Sequence, residues 1–186
     1  MLIVQSVKNL IGAVGMNKDL VEMIKRQTNV LFNNIQITFD EVRDILIVPE
    51  FSDMPISKHV YHMLHSLDQW FINPYIFDEP DFHLDELNSL SVNSDKVLTK
   101  EELQSYFHLI KNKIITFLDD LTDDELKVIP ENCSFSRLEL ILGQFRHLSY
   151  HIGLIHCFIR CESGKWPTFM GLSHVFGKIK TKHCGT

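Results

Sequence analysis

The sequence predicts an all-α protein built as a four-helix bundle. Apolar residues recur at helical spacing over four separate segments, and two capping boxes mark helix starts. No segment shows the two-residue alternation that is typical of a half-buried strand. The chain of 186 residues suits one domain, expected over residues 1–186 with an irregular tail from about residue 163. Four helices of this length are the usual content of a bundle.

The first two helices are each followed by a proline. The first is predicted over residues 17–46 and is closed by Pro49. The apolar positions that set its helical spacing are Leu20, Met23, Ile24, Leu31 and Ile35. The second helix is predicted over residues 57–71, and Pro74 stops it. Residues 78–98 are acidic and lack periodicity, so a long connection is expected after the second helix.

The third and fourth helices start at capping boxes. In "TKEE", residues 99–102, the threonine hydroxyl and the glutamate carboxylate can satisfy the first free backbone N–H groups. A helix is therefore expected from there to about residue 120, followed by a short helical turn that stops at Pro130. The motif "SRLE", residues 136–139, opens the fourth helix, which is expected to reach about residue 161.

Composition excludes several classes of protein. The net charge is −6 and basic residues are not clustered, which argues against a nucleic-acid surface. The apolar N-terminal stretch contains Lys8, lacks a basic start and is too short to span a membrane. Four cysteines without CxxC spacing are typical of a reducing cytoplasm, the expected location. Cys157 and Cys161 lie four residues apart and are expected to pack as small apolar side chains, with a soft-metal or redox pair as the alternative.

The fourth helix carries a pair of histidines on one side. At ~100° per residue, His147 and His151 lie about 40° apart at the edge of a broad apolar arc. His156 falls at the margin of the polar side and does not belong with the pair. Two histidines four residues apart can give two imidazole nitrogens to one metal, although buried histidines satisfied by hydrogen bonds remain the alternative. The zincin motif is absent, because Leu148 stands where its general base would be.

A third ligand would come from the second helix, which offers three histidines. His59, His62 and His65 recur at three-residue intervals. Around the helix axis, His59 lies closest to the centre of the apolar face, His62 lies on the flank of that face, and His65 lies further from its centre. Periodicity therefore favours His59 but leaves His62 open.

With both segments in view, the chain resembles the DinB-like family of metal-dependent four-helix-bundle proteins. The matching pieces are "VYHMLHSLDQWF" in the second helix and "RHLSYHIGLIHCFIR" in the fourth, the latter similar to the family pattern RHxxHHxGQL. The resemblance implies a metal site formed by His62, His147 and His151, with a coordination position left open for water or substrate. The chain departs from the pattern at Tyr150 and Leu154.

The resemblance also implies a function. Relatives include thiol S-transferases and a mycothiol-dependent isomerase that act on small electrophiles. A divalent transition metal, zinc or nickel before iron or manganese, would stabilise the anion of a thiol or of water. The expected partners are a small-molecule substrate and a low-molecular-weight thiol. A homodimer is compatible with a bundle, and neither a nucleic acid nor a membrane is expected as a partner. The alternative function is a non-catalytic metal- or small-molecule-binding protein of a stress response.

Two further residues have structural expectations. Asp68 follows His62 by six residues and is interpreted as a solvated carboxylate rather than one that orients an imidazole. Trp166 is expected to cover one end of the bundle.

Overall fold

The computed structural model of the chain describes residues 17–42, 50–51, 54–92, 94 and 96–171. The long helices are α1 (Asp19–Glu41), α2 (Ile56–Trp70), α4 (Lys100–Asp120) and α5 (Arg137–Ser163). The short elements are α3 (Asp85–Asn88) and two 3-10 turns, Pro74–Ile76 and Glu125–Lys127. The all-α class is confirmed, and the predicted long connection after the second helix contains α3.

A two-stranded antiparallel pair precedes α2. Strand β1 (Glu50–Phe51) pairs with β2 (Met54–Pro55), with Glu50 opposite Pro55 and Phe51 opposite Met54. The expectation that the chain has no strand was therefore wrong. Strands of two residues are too short to show the alternation by which a strand is recognised in a sequence.

Helix α1 is shorter than predicted and takes its N-terminal cap from a distant residue. It ends at Glu41 rather than near residue 46, because Val42 already has extended backbone angles (φ −74, ψ 105). Residues 43–49 lie outside the described part of the chain. At the start, Lys18 offers no side-chain cap, but the carboxylate of Asp123 accepts hydrogen bonds from Leu20 N at 3.1 Å and Val21 N at 2.9 Å. A carboxylate at this end also complements the helix dipole.

Both predicted capping boxes are confirmed. The Thr99 hydroxyl accepts a bond from Glu102 N at 3.2 Å, and the Glu102 carboxylate accepts one from Thr99 N at 2.7 Å. Ser136 and Glu139 repeat the arrangement at 3.3 and 2.7 Å. Helix α5 ends at Gly164, whose φ of 75° is a conformation that favours glycine. These caps set where α5 begins and ends.

The four long helices surround one apolar core. Helix α2 packs against α4 and α5, and α1 packs against the same two helices. Residues with 1% exposure or less, each of which contributes roughly 1.5 to 3 kcal/mol by burial, come from all four helices. They include Val21, Phe32, Ile35, Leu64, Leu67, Phe107, Ile110, Ile141, Leu148 and Ile152. The contact between α2 and α5 is the one that positions the histidines.

The tryptophan in the described part of the tail does not cover the core. Trp166 is 67% exposed, so the expectation that it covers one end of the molecule was wrong. Instead, the buried Asn34 of α1 holds the tail: its amide nitrogen donates to Met170 O at 3.0 Å and its amide oxygen accepts from Met170 N at 2.7 Å. No helix within the described ranges has the length and apolar character needed to cross a membrane.

Candidate metal centre

Three histidines from two helices meet between α2 and α5. The ring centroids of His62 and His147 are 5.4 Å apart, those of His62 and His151 4.9 Å, and those of His147 and His151 4.4 Å. One nitrogen from each ring lies within 4.8 Å of the others. The structure thus brings together the three residues that the resemblance implied, although they are 85 residues apart in sequence between His62 and His147.

The spacing of these nitrogens fits a metal ion. Zinc binds imidazole nitrogens at about 2.1 Å, which places two nitrogens of a tetrahedral site roughly 3.4 Å apart. Nitrogens that lie within 4.8 Å of one another need to approach by about 1.4 Å at most to reach that spacing. All three residues stand on long helices.

A backbone carbonyl fixes which ring nitrogen of neutral His62 carries the proton. Its Nδ1 lies 2.6 Å from the carbonyl oxygen of Asn88, the last residue of α3. A carbonyl oxygen only accepts, so Nδ1 carries the proton and the lone pair is on Nε2. An imidazole held in this way by a carbonyl is the usual arrangement of a histidine ligand. Asn88 could not be predicted in this role from the sequence, because the contact is made by its main chain.

Burial keeps the other two histidines neutral. Burial, reinforced by the neighbouring His62, lowers the pKa of His147 to about 4. Burial and then the neighbouring histidines, His147 first, lower the pKa of His151 to about 3. Metal ligation requires neutral imidazole, which these two rings therefore supply well below pH 7.

Two buried nitrogens of the cluster lack hydrogen bonds. Nδ1 of His147 and Nδ1 of His151 have no partner among the residues that the structure describes. Burying polar atoms without a partner is unfavourable, and such groups call for an explanation. A metal ion bound through Nδ1 of His147 and of His151 would give one, because it would take the place of the missing hydrogen bonds.

The other histidines of these helices have different surroundings. His59 is buried close enough to His151 to depress its pKa, but it is not one of the three clustered rings. The preference of periodicity for His59 thus differs from the observed position of His62 at the cluster. His65 is 1% exposed rather than outward, and it contacts Glu79 instead.

His156 is buried, not at a polar margin as expected. Its Nε2 lies 2.9 Å from the hydroxyl of Thr38 on α1. That hydroxyl donates its single proton to Asn34 O, so His156 must donate to Thr38. The position was misjudged because α5 packs on α1 as well as on α2, and periodicity within α5 marks only its most apolar side. His156 is therefore a core histidine with a hydrogen-bond partner.

Other predicted contacts also differ. Asp68 is neither solvated nor beside the three histidines: it accepts bonds from the Tyr106 hydroxyl at 3.0 Å and from Lys113 Nζ at 2.7 Å. Cys157 and Cys161 are exposed, so the expectation that they pack inside was wrong. Neither belongs to the three-histidine cluster.

A cavity of about 420 Å³ lies along the same helix pair, between the end of α2 and the first half of α5. Its lining residues are Trp70, Phe135, Glu139, Leu140, Leu142, Gly143, Gln144 and Arg146. Gln144 is 6% exposed, and its amide oxygen has no hydrogen-bond partner within the described ranges. The cavity has mostly apolar walls, and Gln144 in its lining stands one helical turn before His147.

Comparisons with known proteins support the fold alone. No family model matches the chain, and no curated protein is similar to it. A solved structure, described as the conserved protein of locus from Enterococcus faecalis, is similar with a TM-score of 0.54 and 16% identity. The match covers 81% of this chain and 100% of that one. The chain therefore shares a helical fold with that protein.

Proposed function

We propose that the chain is a DinB-like four-helix bundle that holds a divalent transition metal on His62, His147 and His151. The observation that carries the proposal is the convergence of three imidazoles from two helices, two of them with unpartnered buried nitrogens. Helices α1, α2, α4 and α5 serve as the four members of the bundle. Imidazole ligands suit zinc and nickel best, and iron or manganese are further candidates.

We further propose that the protein is an enzyme of the thiol S-transferase or hydrolase type. Three protein ligands leave a position open, as in catalytic rather than closed structural sites. A metal in this place would stabilise the anion of a thiol or of water near neutral pH. The chain itself contributes rigidity and a fixed tautomer. The caps of α5 hold His147 and His151, and the Asn88 carbonyl keeps the proton of His62 on Nδ1.

We propose the cavity between the end of α2 and the first half of α5 as the place for the substrate; Arg146, the neighbour of His147 in the sequence, belongs to its lining. Trp70 and Phe135 offer aromatic surfaces. Arg146 adds a positive charge at the rim, which suits a carboxylate such as those of low-molecular-weight thiols. The apolar part of a small electrophile or thiol would lie here, with its reacting atom directed toward His147.

The test is a turnover assay with metal-loaded protein. Chlorodinitrobenzene with a panel of low-molecular-weight thiols reports S-transfer, and p-nitrophenyl acetate reports hydrolysis. We expect turnover that disappears in His147→Ala and persists in His156→Ala, which alters a histidine of the same helix outside the cluster. Absence of turnover with zinc, nickel, iron and manganese alike would remove the enzyme from the proposal.

A non-catalytic binding protein is the second candidate. One observation favours it: the clustered histidines have no carboxylate with them that could act as a general base, within the ranges that the structure describes. Asp68, the acid nearest in sequence to His62 on α2, is bound to Tyr106 and Lys113. Metal binding without any turnover would select this second function.

A further inference from the structure

A second group of metal-ligating side chains lies on another side of α2. His65 comes from the helix, whereas Glu79 and His83 come from the connection that follows it. One carboxylate oxygen of Glu79 is 2.6 Å from His65 Nε2 and 3.5 Å from His83 Nδ1. One ligand atom from each of the three lies within 4.8 Å of the others. None of these three residues belongs to the cluster of His62, His147 and His151.

The two imidazoles of this group are enclosed. His65 is 1% exposed, the His83 side chain 13%, and only Glu79 reaches solvent, at 45%. The two imidazoles stack with centroids 4.7 Å apart, and Phe77 packs edge-on against His65 at 5.3 Å. Long surface side chains are usually solvated. Here the connection folds back and directs its carboxylate at a buried imidazole.

Hydrogen bonding shows which nitrogens can bind a cation. The Tyr61 hydroxyl lies 2.6 Å from His83 Nδ1, and burial raises the pKa of Tyr61, so the phenol is protonated and donates. The lone pair of His83 is therefore on Nδ1, facing the group. His65 donates from Nε2 to Glu79, and its Nδ1 is buried with no partner among the described residues. The proton of His65 can move from Nε2 to Nδ1, which exposes a lone pair to a metal without changing the charge of the ring.

We propose that His65, Glu79 and His83 form a second zinc-binding site, independent of the three-histidine cluster. Two neutral imidazoles and one carboxylate are a common ligand set for zinc, and a water would complete the tetrahedron. Zinc would replace the His65–Glu79 and Tyr61–His83 hydrogen bonds. A bound ion would clamp the connection onto α2 at His83, five residues before Asn88, whose carbonyl holds His62.

The test is zinc binding to the full-length protein, measured by equilibrium dialysis and metal analysis. The parent is His147→Ala, in which the first cluster is disabled, so that bound zinc reports the second site. We expect this parent to retain one equivalent of zinc. Adding Glu79→Gln, which keeps the size of the side chain and its hydrogen-bond acceptor, should weaken binding by about tenfold or more, since a charged ligand is lost.

Two further variants complete the design. His83→Ala in the same parent should lose zinc as Glu79→Gln does, whereas Asp78→Asn, a neighbouring exposed acid, should not. Zinc should also raise the Tm of the parent but not of the Glu79→Gln protein. A parent that binds no zinc, or one whose affinity is unchanged by both Glu79→Gln and His83→Ala, overturns the second site. If the three-histidine cluster does not bind zinc, the wild type and His147→Ala will have equal zinc content, which is a separate result.

Discussion

Buried histidines in this protein differ in what satisfies their nitrogens. His156 donates to Thr38, and His62 donates to the Asn88 carbonyl. His147 and His151 each keep a buried nitrogen without a partner in the described part of the chain, at the point where three rings converge. A core histidine that serves packing alone finds a hydrogen bond, as His156 does. The convergence of three rings, together with the two unpartnered nitrogens, is therefore what favours a ligand site at this point.

The contrast between two histidines of α5 is testable. Replacing His156 with alanine should leave the metal content unchanged but lower the free energy of unfolding by about 1 to 3 kcal/mol, because a buried hydrogen bond and its packing are lost. Replacing His147 with alanine should abolish binding at the cluster. Metal analysis with urea unfolding measures both effects, and metal loss in His156→Ala would assign that histidine to the site.

For single residues, the sequence predicts which histidines share one side of a helix better than it predicts what each histidine contacts. The four-residue separation of His147 and His151 indicates a shared direction, and the structure places them together. His62 was implied by resemblance, since periodicity favoured His59. His65 and His83 could not be paired from sequence, because Glu79 and His83 reach α2 only through the fold of an irregular connection.

At the scale of elements, helix ends position the site. Helix α5 begins at a local capping box, which the sequence displays as "SRLE". Helix α1 depends on Asp123, 102 residues away from Val21, and so its cap is invisible to any local pattern. The β1–β2 pair and α3 were missed for a related reason, because elements of two to four residues are set by their neighbours rather than by periodicity.

The distant cap should be worth as much as a local one. Asp123→Ala removes the acceptor of two backbone N–H groups at the start of α1, and we expect a loss of about 1 to 2 kcal/mol in the free energy of unfolding. Asp124→Ala is the matched control, since Asp124 is exposed and makes no cap to α1. Urea unfolding of both variants measures the difference, and equal stabilities would show that Asp123 does not cap α1.

For the molecule as a whole, buried neutral histidines make stability depend on pH. The pKa values of His147 and His151 are about 4 and about 3 in the folded chain, below the ordinary value of 6.5. At a pH between the folded and the ordinary pKa of these histidines, the unfolded chain binds protons that the folded chain does not. The stability of the metal-free protein should therefore fall as the pH drops below 6.5, and should be unaffected by these residues above it.

A variant isolates this effect from other titrations. His147→Gln cannot take up a proton, so between about pH 7 and about pH 4.5 it should lose about 2 to 3 kcal/mol less stability than the wild type. His108→Gln, at an exposed position of α4, should behave as the wild type does. Urea unfolding with a chelator present gives the values. Parallel losses in all three proteins would contradict the buried, neutral state of His147.

The fold places three histidines from α2 and α5 around one point, and the central claim is that they hold a metal together. Zinc titration of the wild type beside His62→Ala, His147→Ala, His151→Ala and the control His59→Ala tests this most directly. The account predicts that each of the first three variants loses one equivalent of zinc and that His59→Ala retains it. Equal zinc content in the wild type and the three variants, or loss in His59→Ala but not in His62→Ala, would contradict it.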